Sequence, residues 1–372
     1  MKKAPTLRFK GFTNDWEQRK LGEISNIIAG GDKNINKIKK YGKYPVIANS
    51  INKNGIVGYY DNEYRVKAPA VTVTGRGEIG HAVARFQNFT PIVRLLALSS
   101  KLDSIFLANS INKIRFFNES TGVPQLTKPQ LSTYSIIIPS VEEQNNIGKL
   151  ILLIEKYIHL QQRKLRLLKL LKKATQQNIF ASTECLPKLK YRNLTEKWQL
   201  YRLKDVAKIT MGQSPNSKNY TQNPIDHILV QGNADIRNGY VFPRIWTTEI
   251  TKVANKGDII LCVRAPAGDV GRTKFNVVIG RGVAAIKGND FIFQQLQFMK
   301  SSGYWKKYIS GSTFESINSN DIKNAKIFCP SQLEQKNISS LLNDIDTSIQ
   351  IQQKNILDFK YIKQFLLQNM FI

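Results

Sequence analysis

Two long stretches of the chain place apolar residues at intervals of three and four positions, with polar residues between them. This spacing predicts amphipathic helices, because it puts the apolar side chains on one face. Neither stretch contains proline or glycine, over residues 149–180 in the first and 331–372 in the second. The apolar positions that we expect at a contact between helices are Ile147, Leu150, Ile154, Ile158, Leu165 and Leu168 in the first stretch, and Ile338, Leu341, Ile345, Ile349, Ile356 and Phe359 in the second.

The two stretches are copies of one another. Residues 137–180 match residues 328–371 at an offset of 191. A second match, at an offset of 182, aligns the segment around Trp16 with the segment around Trp198. The residues between these matched ends are dissimilar in the two copies. The sequence therefore predicts a duplicated chain with similar ends and different middles.

Both helical stretches open with the pattern Ser-x-x-Glu, as Ser140 with Glu143 and as Ser331 with Glu334. This pattern predicts a capping box, in which the serine accepts a backbone N–H and the glutamate reaches back to the cap. Forty helical residues would span about 60 Å. A helix of that length is too long to be covered by one small domain, so we expect the two helices to pack on each other.

Equivalent glutamines, Gln161 and Gln352, interrupt both apolar stripes. In an antiparallel pair related by a pseudo-twofold axis, a residue at the midpoint faces its own equivalent. The two amides could then hydrogen-bond to each other and fix the register. Both could instead point to solvent. We expect the antiparallel arrangement.

The middles of the two copies, residues 20–138 and 202–329, read as short strands separated by turns, with few helices. The segments "APAVTVTGRGEIGHAVARF" and "GDIILCVRAPAGDVGRTKF" each predict two strands around a glycine turn. Residues 102–114 and 289–309 have helical periodicity. We therefore expect an α+β fold with two β-rich domains separated by an antiparallel pair of long helices, and not a wound βαβ array.

The segment Gly75–Gly80, "GRGEIG", fits the G-x-G-x-x-G pattern of dinucleotide-binding folds. That fingerprint requires a helix after the glycines. The residues that follow, "HAVARF", are typical of a strand. We interpret the segment as a hairpin turn.

Catalytic motifs do not appear in the sequence: it contains no G-x-x-x-x-G-K-[ST], no H-E-x-x-H and no G-x-S-x-G pattern. The three histidines, His81, His159 and His227, lie far from clustered acids and cysteines along the chain. The three cysteines have no C-x-x-C spacing, which argues against a zinc site or a disulfide framework and favours a reducing compartment. We expect a non-catalytic protein without a cofactor or a metal of its own.

Basic residues dominate the charge, since 55 Lys and Arg stand against 27 Asp and Glu for a net charge of +28. This excess predicts a polyanionic partner such as nucleic acid. An AT-rich genome could also enrich lysine.

The residue types in the loops suggest which positions could contact DNA. Arginine reads guanine edges, asparagine and glutamine read adenine, and lysine mostly holds phosphates. On this basis the candidate DNA contacts are Lys33, Asn34, Lys37, Lys39 and Arg76 in the first copy, and Gln213, Asn216, Lys218, Tyr220, Arg264 and Arg272 in the second.

The chain resembles the DNA-specificity subunits of Type I restriction-modification systems. The resemblance covers essentially the whole chain. It is carried by the duplicated W-x4-L segments (Trp16–Leu21, Trp198–Leu203), by "G-x-SP-x4-Y" at Gly212–Tyr220, by "GDIILCVRAPAGDVG" at Gly257–Gly271, and by P-x3-EQ-x2-I at Pro139 and Pro330.

The resemblance implies two target-recognition domains, each of which reads one half of an asymmetric bipartite site in double-stranded DNA. The helices would set the spacing and dock two modification (methyltransferase) subunits and, through them, restriction subunits. S-adenosylmethionine, ATP and Mg²⁺ would then be bound only by those partners. The expected segments are a first recognition domain over residues 1–139, a first helix over 140–182, a second recognition domain over 183–330 and a second helix over 331–372.

Two other functions remain open from the residues: a stand-alone methyltransferase or nuclease, and an adaptor that does not bind DNA. The amino terminus, "MKKAPTLRFKGF", reaches no apolar run of signal-peptide length, and no stretch of about 18 apolar residues occurs. We expect a cytoplasmic protein.

Overall fold

The computed structural model describes residues 4–117, 122–180, 187–189, 197–309 and 316–372. The chain divides into two compact units. Unit 1 comprises Met1–Gln162 and Asn355–Ile372, and unit 2 comprises Arg163–Lys354. Both contain sheets and helices, so the expected α+β class is confirmed.

Unit 1 contains the elements of the first copy. Its strands are β1 (Glu17–Lys20), β2 (Ser25–Ala29), β3 (Tyr44–Ile47), β4 (Ile56–Tyr60), β5 (Ala70–Thr74), β6 (Ala82–Arg85), β7 (Thr90–Pro91), β8 (Leu95–Ser100) and β9 (Ser135–Ile138). Its short helices are α1 (Leu21–Ile24), α2 (Ser104–Ile111) and α3 (Lys128–Thr133), and α4 (Val141–Phe180) begins here and continues into unit 2.

Unit 2 contains the elements of the second copy. Its strands are β10 (Gln199–Arg202), β11 (Lys208–Met211), β12 (Tyr220–Thr221), β13 (His227–Val230), β14 (Ile236–Arg237), β15 (Tyr240–Val241), β16 (Ile245–Thr247), β17 (Val253–Ala254), β18 (Ile259–Cys262), β19 (Val270–Arg272), β20 (Val277–Ile279), β21 (Val283–Lys287) and β22 (Lys326–Cys329). Its helices are α5 (Leu203–Val206), α6 (Asp290–Ser301), α7 (Lys306–Ile309) and α8 (Ser319–Lys323), and α9 (Gln332–Asn369) begins here and ends in unit 1.

The two ends of each β-rich domain are joined by a small antiparallel ladder. In unit 1, β1 pairs with β9, and in unit 2, β10 pairs with β22. A buried tryptophan precedes the first strand of each ladder, and a fully buried leucine follows it, as Trp16 with Leu21 and Trp198 with Leu203. The W-x4-L pattern therefore anchors the start of each domain beside the strand that leads into its long helix.

The central strand of each domain is buried on both faces, which explains the continuous apolar run of "GDIILCV". Ile259 and Leu261 pack among the residues of α6 and α8, whereas Ile260 and Cys262 pack toward the second sheet of unit 2. The two sheets have strand orders β11-β21-β18-β19-β15-β14 and β12-β16-β13-β20-β17. Covering both faces of a sheet removes the apolar/polar alternation expected of a half-exposed strand.

Unit 1 repeats this plan with smaller sheets. Their orders are β2-β8-β5-β6 and β4-β3-β7. Val71 and Val73 of β5 face the core that contains Leu107 of α2, whereas Ala70 faces the cluster around Phe89.

Both predicted glycine turns are hairpins. Strand β5 pairs antiparallel with β6 around Gly75–Gly80, and β18 pairs antiparallel with β19 around the "APAGD" turn. Since a strand and not a helix follows "GRGEIG", that segment is not a dinucleotide-binding loop.

The starts of the long helices agree in part with the predicted capping boxes. The Ser140 Oγ accepts the N–H of Glu143 at 3.3 Å, and the Ser331 Oγ accepts that of Glu334 at 3.4 Å. The carboxylate of Glu143, however, pairs with both Nε and Nη2 of Arg8 at 2.8 Å instead of returning to the cap. The predicted reciprocal bond is therefore wrong for the first helix.

The glutamine after each of these glutamates has a clear role. Gln144 Nε2 donates to the carbonyl of Pro139 at 2.8 Å, and Gln335 Nε2 donates to that of Pro330 at 3.0 Å. The P-x3-EQ pattern thus holds the proline two residues before each helix against the first turn of that helix.

Within unit 1, α4 and α9 pack antiparallel. Glu155 pairs with Lys363 at 2.6 Å. Tyr157, further along α4, packs against Phe359, which lies earlier in α9, with ring centroids 4.2 Å apart and ring planes inclined by 40°. Phe371, just after α9, stacks on Phe106 of α2 at 5.5 Å. The end of the second helix thus completes the core of the first copy.

The same direction holds within unit 2. Lys172 of α4 pairs with Asp346 of α9 at 2.6 Å. Further along α4, Ile179 and Phe180 share a core with Leu342, which lies earlier in α9. Gln161 and Gln352 are half-buried and buried, and their predicted mutual contact stays a prediction.

The Arg8–Glu143 pair gives a stability prediction. Replacing Arg8→Ala leaves a carboxylate whose side chain is only 1% exposed without its cation, so we expect the free energy of unfolding to fall by about 2–4 kcal/mol. The double variant Arg8→Ala/Glu143→Gln should recover part of this loss. Urea unfolding followed by circular dichroism measures both.

Arg19→Ala, which removes an exposed pair with Glu17, is the matched control and should change the free energy of unfolding by less than about 0.5 kcal/mol. Equal losses for Arg8→Ala and the control would contradict the assignment.

Candidate nucleic-acid interface

An exposed arginine follows the central strand of unit 1. Arg76 lies in the turn after β5, and its backbone forms an isolated bridge with Gln125. Asn49 fixes the same turn, because its Oδ1 accepts the N–H of Gly75 at 2.7 Å and its Nδ2 donates to the Arg76 carbonyl at 2.8 Å. Gly75 also donates to the carbonyl of Arg94 at 3.0 Å. The backbone that carries the guanidinium is therefore well defined.

Unit 2 has an exposed arginine in the equivalent place. Arg264 follows β18, and its backbone bridges Ser316, as Arg76 bridges Gln125. The preceding residue, Val263, donates to the carbonyl of Gly282 at 2.9 Å, which corresponds to the bond of unit 1 from Gly75. Two domains with dissimilar loops thus present an arginine from the same position of their central hairpin.

The lysine-rich loop of unit 1 is exposed. All four residues predicted from it lie at the surface: Lys33, Asn34, Lys37 and Lys39. Lys37 pairs with Glu63 at 3.0 Å and Lys39 with Asp61 at 2.5 Å. Exposed pairs of this kind contribute about 0–1 kcal/mol. Both ammonium groups can therefore exchange their carboxylates for phosphates at little cost.

The corresponding loop of unit 2 is polar and is held in place by Glu249. This carboxylate accepts the N–H of Asn216 at 2.8 Å and the side-chain amide of Asn219 at 2.6 Å. The bond from the Asn216 backbone, followed by that from Asn219, lowers the pKa of Glu249. Gln213, Asn216 and Lys218 are exposed. The loop therefore offers amide and ammonium groups from a fixed backbone.

Tyr220 lies half-buried beside this loop. Its hydroxyl accepts a hydrogen bond from Gln231 Nε2 at 2.6 Å. Tyr220 thus orients a second amide side chain toward the same group of loops.

Arg272 is not placed as a free DNA contact. It belongs to β19, its guanidinium pairs with Asp290 at 2.6 Å, and it lies 5.1 Å from the ring centre of Phe293. These contacts tie β19 to the start of α6. Arg272 therefore has a structural role within unit 2, and its predicted contact with DNA stays a prediction.

Arg281 was not among the contacts predicted from the sequence. This exposed residue lies in the turn Gly280–Gly282, and its N–H donates to Ser214 Oγ at 3.0 Å. A side chain at Gly282 would come within 2.0 Å of the Gln231 carbonyl, so glycine is required for the loops to meet this closely. The segment "GRG" at Gly280–Gly282 is visible in the sequence and is typical of a tight turn. The residues that it meets in the fold, Ser214 and Gln231, are distant along the chain, so the sequence did not place Arg281 beside them.

The residues predicted for the helix contact are all covered by the chain to some degree. Buried members are Ile147, Ile154, Ile158, Ile338, Ile345, Gln352 and Ile356, and half-buried members are Leu150, Gln161, Leu165, Leu168, Leu341, Ile349 and Phe359. These side chains are therefore at least partly withdrawn from solvent, and their role in a contact between the helices stays a prediction.

In the described part of the chain, no group of three or more His, Cys, Asp or Glu side chains could hold a metal ion. Cys262 and Cys329 are buried free thiols, and burial raises their pKa to about 12 and about 11. Cys185 lies outside the described residues. Across those same residues, no helix combines the length and the apolar character that a membrane span requires.

The sequence model of a known family, described as the Type I restriction modification DNA specificity domain, matches residues 13–183 and again residues 195–358. Each match starts shortly before the buried tryptophan of its copy. The chain belongs to this family. Its two specificity domains correspond to the two copies found in the sequence.

Relatives support this membership. A putative type I restriction enzyme specificity subunit, MjaX, of Methanocaldococcus jannaschii is 31% identical over 62% of this chain and 56% of that protein. A putative type I specificity subunit of Mycoplasma pneumoniae, S.MpnORF89P, is 29% identical over 39% of this chain and 45% of that protein. This chain thus spans about half the length of these two relatives. The MjaVIII specificity subunit of M. jannaschii is 23% identical over 91% of this chain and 88% of its own length.

Solved structures share the fold. The S subunit of a Type I restriction-modification system from M. genitalium superposes with a TM-score of 0.72 at 14% identity over 99% of both chains. A chain from a structure on complex assembly and conformational transition of the type I R-M system gives a TM-score of 0.57 at 20% identity, over 96% of this chain and 98% of that one.

The two arginines of the "GDIILCVRAPAGDVGR" segment of this specificity-domain chain should respond differently to truncation. Arg272→Ala removes the ion pair with Asp290 and the contact with Phe293, so we expect the free energy of unfolding to fall by about 1 kcal/mol. Arg264→Ala, the matched control, should change it by less than about 0.5 kcal/mol because its side chain is exposed. Chemical denaturation of both variants makes the comparison. A larger loss for Arg264→Ala would contradict the structural role of Arg272.

Proposed function

We propose that the chain is the DNA-recognition subunit of a Type I restriction-modification complex, and that each recognition domain reads one half of an asymmetric bipartite site. The observation that carries this proposal is the pair Arg76 and Arg264. Arginine recognises guanine through two parallel hydrogen bonds in the major groove. A contact repeated at the same place in two unlike domains suits a shared docking mode on DNA.

We infer the asymmetry of the site from the exposed loops of the two domains. The first domain offers the lysines of its exposed loop, Lys33, Lys37 and Lys39, whereas the second offers Gln213, Asn216 and Arg281. Amide side chains suit adenine, and lysines suit phosphates. Different base sequences are therefore expected in the two half-sites, separated by base pairs that neither domain reads.

The helices are proposed to dock two methyltransferase subunits and to set the length of the unread gap. Support for docking comes from apolar side chains that remain between 37% and 61% exposed along α4 and the last third of α9. They are Leu153, Tyr157, Leu160, Leu167, Leu170 and Leu171 on α4, and Leu357, Tyr361, Ile362 and Phe365 on α9. An exposed apolar face of this kind usually marks an interaction surface.

The chemistry of the complex is assigned to the partners. S-adenosylmethionine would be bound by the methyltransferase subunits, and ATP and Mg²⁺ would be used by restriction subunits bound through them. The role of this chain is to place those subunits at a chosen sequence.

The recognition role is tested by replacing the two arginines one at a time in the complex assembled with its methyltransferase subunits. Arg76→Ala should weaken base discrimination in one half of the methylated sequence, and Arg264→Ala should weaken it in the other half, each by about 1–3 kcal/mol. Mapping of methylated adenines on genomic DNA by single-molecule sequencing gives the result for every position at once.

Arg19→Ala is the control for this experiment, because it removes an exposed arginine of β1 that is paired with Glu17. It should leave the methylated sequence unchanged. If Arg76→Ala and Arg264→Ala both leave it unchanged as well, these residues do not read DNA and the proposal loses its support.

Docking is tested on the exposed face of α9. Tyr361→Asp combined with Phe365→Asp should reduce capture of the methyltransferase subunits at least about tenfold, because the charges oppose burial of this face. Folding should be retained, since both side chains are more than half exposed. Size-exclusion chromatography coupled to light scattering measures assembly.

The matched control replaces Lys360→Asp and Gln364→Asp, which are exposed polar residues of the same helix segment. This variant changes charge without removing apolar surface. Loss of assembly in both variants, or in neither, would contradict a docking surface formed by the apolar side chains.

A further inference from the structure

We propose that Lys172 is a positioning residue that fixes the second recognition domain on the two long helices. Its ammonium group lies between three helices of unit 2. It donates to both oxygens of Asp346 of α9, at 2.6 and 2.8 Å, and to Gln297 Oε1 of α6 at 2.8 Å. Its side chain is 16% exposed. One cation of α4 thus holds both the partner helix and the recognition domain.

A fully buried glutamine extends this connection. Gln294 of α6 donates through Nε2 to Asp346 at 2.9 Å and to Asn343 Oδ1 at 3.0 Å, both on α9. Its Oε1 accepts a bond from Gln176 Nε2 of α4 at 3.3 Å. Buried amides that use their donors and acceptors in this way specify one orientation, because any shift leaves a polar group without a partner.

The network ends at the hairpin that carries Arg264. Asn343 Nδ2 donates to Asp290 at 2.9 Å, and Asp290 pairs with Arg272 of β19 at 2.6 Å. Strand β19 is the second strand of the hairpin whose first strand, β18, leads into Arg264. A continuous set of hydrogen bonds and ion pairs therefore runs from Lys172 to Arg272, which lies opposite Ile259 at the open end of the hairpin, and the proposed reading turn is at the other end of the same two strands.

The repeat supplies a natural comparison in unit 1. At the offset of 191, Lys363 is the equivalent of Lys172 and Glu155 is the equivalent of Asp346, and these two residues also form an ion pair at 2.6 Å. There, however, α2 meets the helices through apolar side chains, since Phe106 packs with Ile147 and Ile151. Among the described residues, the recorded hydrogen bond of Lys363 goes to Glu155. Lys363 thus joins two helices, whereas Lys172 joins two helices and a recognition domain.

The inference rests on the proposed function and makes it more specific. Removing the Lys172 charge should let the second domain move on the helices while the first stays in place. The half-site read through Arg264 should then lose discrimination, and the half-site read through Arg76 should keep it.

The test compares Lys172→Met with Lys363→Met in the complex assembled with the methyltransferase subunits. The probes are DNA duplexes with one base substituted in either half-site, where the second half-site is the one altered by Arg264→Ala. Lys172→Met should lower the ratio of methylation rates on correct and substituted duplexes about fivefold or more for the second half-site only. Lys363→Met should change neither ratio, and Lys172→Arg should restore most of the discrimination by keeping the charge.

Hydrogen exchange provides a readout that does not depend on DNA. The amides of α6 should exchange faster in Lys172→Met, whereas those of α2 should be unchanged in Lys363→Met. Unchanged α6 exchange together with unchanged discrimination would overturn the inference. Equally faster exchange of α2 and α6 in Lys172→Met, with loss of discrimination at both half-sites, would also overturn the inference. Lys172 would then only stabilise the chain as a whole.

The effect of Arg264→Ala separates the inference from the proposed function. If Arg264→Ala changes discrimination at neither half-site, the proposed function fails. If Arg264→Ala changes it and Lys172→Met does not, the inference alone fails.

Discussion

The antiparallel contact between α4 and α9 is the interaction on which each unit depends. Within unit 1 it is marked by Glu155 with Lys363, and within unit 2 by Lys172 with Asp346, and the sequence repeat makes these two ion pairs equivalent. Because the helices run in opposite directions, each unit receives the end of one helix and the beginning of the other. Phe371 closes the core of unit 1 against Phe106, as Phe180 closes that of unit 2 against Trp198 and Phe291. Because each copy ends in a similar long helix, both domains pack against the beginning of one long helix and the end of the other.

The surroundings are shared, but the recognition loops are not. The ladders β1–β9 and β10–β22 and the arginine turns recur, whereas the lysine-rich loop of unit 1 and the amide-rich loop of unit 2 differ in length and chemistry. This division separates two tasks. The repeated parts hold a domain in place, and under the proposed function the variable parts would differ with the half-site that each domain reads. The contact between each domain and the long helices also differs in chemistry. Helix α2 packs on them through aromatic and aliphatic side chains, whereas α6 is joined to them by amide and charged side chains around Lys172.

The sequence predicted the features that depend on local pattern. The two long helices, their apolar stripes and the hairpins around "GRGEIG" and "APAGD" all follow from spacing and turn chemistry. It failed where a side chain meets a partner far away in the sequence. Arg272 was proposed as a DNA contact beside the glycine turn, and the local pattern did not predict its ion pair with Asp290 or its contact with Phe293. Glu143 was expected to cap its own helix, but Arg8 takes its carboxylate. Arg281 was missed because the loops that display it, around Ser214 and Gln231, are brought together only by folding.

Cross-linking across the helices of unit 1 tests the antiparallel contact most directly. In a chain with its native cysteines replaced by alanine, Glu155→Cys paired with Lys363→Cys should be joined efficiently by a short bismaleimide, and mass spectrometry of the peptides should identify the link. Ile147→Cys paired with Asn355→Cys should not be joined, because in an antiparallel pair these residues lie on opposite sides of the Glu155–Lys363 contact, about 24 Å apart along the helix axes, whereas in a parallel pair they would face each other. Efficient linkage of the second pair with none for the first would contradict the antiparallel register and, with it, the account of how each copy is completed.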